Sequence, residues 1–185
     1  MHTTHADMLA TLNDFLTAAC TELQHSGSCA QSAVLFRENS PIVGVLTDFR
    51  GPEHKEAVWQ TIIDSAHAFG ADGVGLILDV YCVPLGSGLA PSEDPRADEA
   101  LVISTVLPGR WSYTLLRYGR EDDGSIHFAK RMTPDEVDGS FDAALPFSMA
   151  EALDQPTVTD ADEAKYLVRQ LIDLGATVGL MPSFA

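Results

Sequence analysis

Val74-Gly-Leu-Ile-Leu-Asp-Val-Tyr-Cys-Val83 is an almost unbroken apolar run, opened by Gly73 and followed by Pro84. It is rich in β-forming residues and short, which favours a strand over a helix. Hydrophobicity that is continuous rather than alternating is what a strand shows when protein covers both its faces. The run therefore reads as a central strand, and the rest of the chain is placed around it.

Working toward the N-terminus, Lys55 to Phe69 carries Val58, Trp59, Ile62, Ile63, Ala66 and Phe69 at helical spacing, with Gly70 placed to stop the helix. Before it, Ala33-Val-Leu-Phe-Arg37 and Ile42-Val-Gly-Val-Leu46 read as two strands joined by the turn-forming Glu38-Asn-Ser-Pro41, a hairpin. From Ala6 to about His25, Met8, Leu9, Leu12, Phe15, Leu16, Ala19, Cys20 and Leu23 recur every three to four positions. That is the stripe of an amphipathic helix ended by Gly27.

Toward the C-terminus, Leu85 to Asp98 is a loop by composition, and Glu99 to Leu107, Trp111 to Tyr118 and Ser125 to Arg131 read as strands. Asp122-Asp-Gly124 makes a tight turn between the last two, so the three form a meander. A short helix is expected within Phe141 to Leu153. A second follows Thr159-Asp-Ala-Asp-Glu163, whose residues suit a helix cap and early acidic charge, and runs to Gly175. The apolar tail from Ala176 to Ala185 either packs back as a last strand or docks on another subunit.

Sequential strands joined by short turns pair antiparallel. The expected fold is a single α+β domain over residues 1–185: one antiparallel or mixed sheet of five or six strands with helices packed on one face.

Composition narrows the function classes. With 45% hydrophobic and 21% charged residues the chain is ordinarily globular. Its 27 acidic against 11 basic side chains leave a net charge of −16, which repels a phosphate backbone and an anionic membrane surface. Direct nucleic-acid binding is not expected. No run approaches the roughly 20 apolar residues of a membrane span, and residues 1–25 do not form a secretion signal. Cys20, Cys29 and Cys82 are odd in number and lack zinc or redox spacing, which suits reduced, mostly buried thiols and a cytoplasmic protein. Residues 134–185 hold ten acidic residues against Lys165 and Arg169, half of the net negative charge of the chain. The few basic residues gather in the meander, as Arg110, Arg117 and Arg120 near Trp111, Tyr113 and Tyr118. A base-stacking face or cross-strand pairs to Glu121, Asp122 and Asp123 both suit that pattern, and the pairs are favoured.

The most pointed candidate site is the exit from the central strand. Asp79 and Tyr81 lie there, and the returning loop brings Glu93, Asp94, Arg96, Asp98 and Glu99. A carboxylate inside an apolar strand needs a partner or a proton, and Arg96 is a candidate partner. The alternatives are a carboxylate site for acid–base work or a cation, and a salt bridge that pins the loop. The order of an acidic-aromatic strand end (Asp79-Val-Tyr81), the string Pro91-Ser-Glu-Asp-Pro-Arg96 and the strand start Glu99-Ala-Leu-Val102 resembles a group of uncharacterised small proteins of bacteria and their phages. In that group the strand end is typically Glu-Ala-Trp. The resemblance spans about residues 55–130 and implies a shared fold core, with no activity attached.

Other chemistry is sparse. His54 and His67 flank a helix, without H-E-x-x-H, and read as solvated; His127 alternates with Ile126 and Phe128 on a strand. There is no G-x-S-x-G, no calcium loop and no phosphate loop, since Gly70-Ala-Asp-Gly-Val-Gly75 precedes a strand. Cys82 reads as structural unless a histidine folds beside it. No metal or cofactor is expected. Three functional readings follow: a non-catalytic accessory or protein-interaction module of bacterial or phage origin, with a protein partner or self-association; an enzyme with a carboxylate site at Asp79 to Glu99; and an acidic mimic of nucleic acid. The first is favoured.

Overall fold

The computed structural model describes residues 3–82, 94, 97–133, 144–155 and 159–181. Its elements run α1 (His5–Ser26), β1 (Gln31–Arg37), β2 (Ser40–Thr47), α2 (Pro52–Ala68), β3 (Gly73–Cys82), β4 (Asp98–Leu107), β5 (Arg110–Arg120), β6 (Ile126–Met132), α3 (Ala144–Leu153), α4 (Ala161–Asp173) and β7 (Thr177–Leu180). The strands form one antiparallel sheet in the order β6-β5-β4-β3-β1-β2-β7.

This corrects the expectation in two respects. The sheet has seven strands rather than five or six, because the apolar tail returns as β7 along β2. Helices also cover both faces rather than one. On one face Met8, Leu12, Leu16, Ala19 and Leu23 of α1 pack against Val34, Phe36, Ile77, Leu101 and Ile103. On the other, residues of α2, α3 and α4 (Val58, Trp59, Ile62, Met149, Leu171) pack against Leu35, Val43, Val45, Val74, Leu76, Leu78 and Val106. Alternation along β3 sends Leu76 and Leu78 one way and Ile77 the other, which is why its sequence is apolar on both faces as far as Asp79.

Local chemistry sets the element ends. Thr4 caps α1 by accepting from the Asp7 N–H, and Gly27 ends it in the left-handed region at φ 76°. The β1–β2 connection is a two-residue turn, Glu38-Asn39, both at positive φ, which matches the twist of a hairpin. Asp160 caps α4 through the N–H groups of Asp162 and Glu163.

The approach of α1 to the sheet depends on β3. A Cβ built on Gly75 would stand 2.7 Å from Leu12 Cδ1, and one on Gly73 would stand 3.0 Å from Met8 Sδ. The glycines of β3 thus leave the room that the first helix fills. Among the described residues no helix is long and apolar enough to cross a membrane.

Candidate functional site

The β3–β4 register places Asp79 opposite Leu101 and Tyr81 opposite Glu99, while β4–β5 pairing places Glu99 opposite Tyr118. These residues, with Arg120 two positions beyond Tyr118, therefore share the sheet face that α1 covers. They sit at the end of that face near the C-cap of α1, where a Cβ on Gly27 would lie 3.5 Å from Arg120 Nη1.

Tyr118 is the centre of the cluster. Its hydroxyl is 2.7 Å from Asp79 Oδ1 and 3.2 Å from Glu99 Oε1. Glu99 in turn accepts from Arg120 Nε at 2.7 Å and Nη2 at 2.9 Å, a two-pronged pair. The Arg120 guanidinium also lies over the Tyr118 ring, at 5.5 Å from its centroid, and Phe128 meets that ring edge-on. The Asp79 N–H donates to Gln31 Oε1 at 2.9 Å.

One phenolic proton serves two carboxylates here, and the shorter contact goes to Asp79. Burial pushes the Asp79 carboxyl above its ordinary 3.8; the Tyr118 hydrogen bond opposes that shift, and Glu99 adds to it. Burial and the bond to Asp79 hold Tyr118 in its protonated form, well above the usual range. Cys29 lies close to this group, and burial first, then the Asp79 charge, pushes its thiol up to about 12. Partial burial thus makes the Asp79 carboxyl bind its proton more tightly than a free carboxyl does, while Tyr118 acts as a donor and Cys29 remains a thiol.

The positions expected from sequence fall as follows. Asp79 and Tyr81 lie on this face, with Tyr81 exposed. Asp94 is buried, and its carbonyl accepts from the Ala97 N–H. Glu93 and Arg96 lie outside the described residues, and so does most of the Pro91-Ser-Glu-Asp-Pro-Arg96 string. The described partner of Asp79 is Tyr118, which sequence reasoning assigned to a different cluster. Two of the meander arginines form cross-strand pairs, with β4 rather than with Glu121, Asp122 and Asp123: Arg120 with Glu99, and Arg117 with Asp98 at 3.3 Å. Arg117 and Arg120 point to opposite faces, so they do not make one basic surface. Trp111 stacks on Tyr113, with ring centroids 5.5 Å apart.

Among the histidines, His54 departs from expectation. His54 is half-buried rather than solvated: its Nε2 is 2.7 Å from the Leu174 carbonyl, and its Nδ1 accepts from the Arg50 N–H. That arrangement places the proton on Nε2 and ties the start of α2 to the end of α4. Cys82 lies near Arg117 and Asp98, and burial raises its pKa, which disfavours the thiolate a nucleophile needs. Among the described residues no three His, Cys, Asp or Glu side chains are grouped to hold a metal.

No protein-family model, curated protein or solved structure matches the chain.

Proposed function

We propose that the chain is a non-catalytic protein-interaction module. The observation that supports this reading most is the distribution of exposed apolar side chains. Of the five large hydrophobic residues exposed among the described residues, Tyr166, Ile172 and Leu180 belong to α4 and β7 at one end of the fold, and Leu46 lies on the neighbouring β2, on the opposite face of the sheet from Leu180. Apolar groups gathered at one end of a strongly acidic chain are what a contact surface requires. The Asp79–Tyr118–Glu99–Arg120 cluster gives less support to catalysis, because its donors and acceptors satisfy one another.

The competing reading, a carboxylate enzyme, draws on the raised pKa of Asp79, since perturbed carboxyls often mark active sites. The test is a panel of ester, phosphate-ester and amide substrates assayed with the wild-type chain and with Asp79→Asn. No turnover is expected from either. Turnover that Asp79→Asn removes would overturn the interaction reading.

A further inference from the structure

Among the described residues the sheet ends on two edge strands, β6 and β7, and they differ in character. β6 carries His127, Lys130 and Arg131, and its pairing with β5 shifts register between Leu116 and Tyr118. Charges and bulges of this kind keep an edge from recruiting another strand. β7 is Thr177-Val-Gly-Leu180, with neither a charge nor a proline. The Met181 N–H donates to the Ile42 carbonyl, and β7 pairs with β2 as Val43 with Leu180 through Leu46 with Thr177. Antiparallel hydrogen bonding alternates along a strand. Residues 177, 179 and 181 therefore bond inward to β2, which leaves the N–H and C=O groups of Val178 and Leu180 directed outward. Leu180 is 65% exposed, and α4, which packs against β7, exposes Tyr166 and Ile172.

We infer that this edge joins two copies of the chain, β7 against β7 and antiparallel, about a twofold axis at Gly179. The inference rests on the interaction-module reading and names its partner. The strand is self-complementary in the required register. Val178 of one copy faces Leu180 of the other, twice, so the outward backbone groups meet one another. Val178 and Leu180 share the sheet face of Val45 and Val43, so their apolar side chains pack beside α4. Gly179 meets itself where the backbones approach most closely, and a Cβ there has no neighbour within 4 Å in the single copy. The charges also suit a second copy. The surface of α4 carries Lys165 and Arg169 together with Asp162, Glu163 and Asp173, so the helix beside this edge is of mixed sign rather than uniformly acidic. The net −16 of each copy opposes approach at long range, so salt, by screening that repulsion, strengthens the association.

The test is the mass in solution of the full chain, measured by light scattering and sedimentation over a wide concentration range at low and high salt. The expected mass is twice that of the chain, with the dimer favoured at high salt. Leu180→Pro removes one outward N–H and spares the inward bonds of Gly179 and Met181, and it is expected to restore the monomer. Leu180→Lys, which keeps the backbone, is expected to do the same if the proline variant misfolds, and Tyr81→Ala, on a distant exposed site, is expected to leave the dimer intact. A chain that is monomeric at every concentration, or a dimer that survives both Leu180 variants in folded form, overturns the inference. A monomer whose β7 instead pairs with a different protein also overturns it, while leaving the interaction reading in place. Asp79-dependent turnover would remove that reading without changing the mass.

Discussion

The hydroxyl of Tyr118 on β5 reaches across β4 to donate to Asp79 on β3 at 2.7 Å. Strands two apart are separated by nearly 10 Å, a span that an aromatic side chain can cross where a shorter one cannot. The bond gives the half-buried Asp79 a donor at the end of a strand that is otherwise apolar. It also locks β3, β4 and β5 together at the site where Glu99 and Arg120 complete the network.

Removing the donor and removing the charge have opposite expected effects. Tyr118→Phe leaves Asp79 half-buried without its side-chain partner and is expected to cost about 1–3 kcal/mol of stability at neutral pH. Asp79→Asn removes the charge whose burial is unfavourable and keeps an oxygen that can accept from Tyr118. It is expected to be neutral or stabilising at neutral pH. Urea unfolding of both variants checks the pair, and a larger loss in Asp79→Asn than in Tyr118→Phe would contradict this account of the cluster.

The raised pKa of Asp79 fixes the sign of a pH effect. The folded state binds the Asp79 proton more tightly than the unfolded state, whose carboxyl titrates near its ordinary 3.8. Between that value and the higher folded pKa, the native state holds the proton and the unfolded state does not. The contribution is fully present below the unfolded value and is lost as pH rises through the folded one. Wild-type stability minus that of Asp79→Asn is therefore expected to fall with rising pH across this window. A flat or rising difference would place the proton elsewhere.

Leu12 of α1 fills the space beside Gly75 that a Cβ would occupy. Gly75→Ala puts a Cβ within 3 Å of three Leu12 carbons in a fully buried site. Overpacking of this kind is expected to cost about 1–3 kcal/mol. Combining it with Leu12→Ala, which alone is expected to cost about 2–5 kcal/mol by leaving a cavity, should cost less than the sum. A double-mutant cycle by thermal or denaturant unfolding measures the coupling, and strict additivity would show that α1 does not rest on β3 in this way.

Much of the fold is legible along the chain. Of the eight residues of the α1 stripe, Met8, Leu12, Leu16, Ala19 and Leu23 are buried, and Leu9, Phe15 and Cys20 are partly buried beside them. The run at Val74 reads correctly as a strand covered twice, and that local reading is a better guide than the global expectation of helices on one face. The first helix has to occupy the second face, because Ile77, Leu101 and Ile103 need a cover that α2, α3 and α4 do not provide. The site is less legible. Asp79 stands out as a carboxylate in an apolar strand, but its donor lies 39 positions away. Alternation within β5 puts Tyr118 and Arg120 on one face, yet which face, and opposite which residue of β4, depends on register. His54 is similar: its helix is clear from sequence, while its bond to the Leu174 carbonyl spans 120 positions.

The sequence by itself determined the elements, because helical and strand periodicity, glycine stops and Asp, Ser or Thr caps act over a few residues. It also determined the acidity of the chain and the anomaly at Asp79. Only the tertiary structure decided that Thr177–Leu180 adds to the sheet as the edge strand β7, that α1 lies across from the other helices, and that Asp79 meets Tyr118. Those outcomes depend on strand order and register, which are settled by long-range pairing and burial summed over the whole sheet.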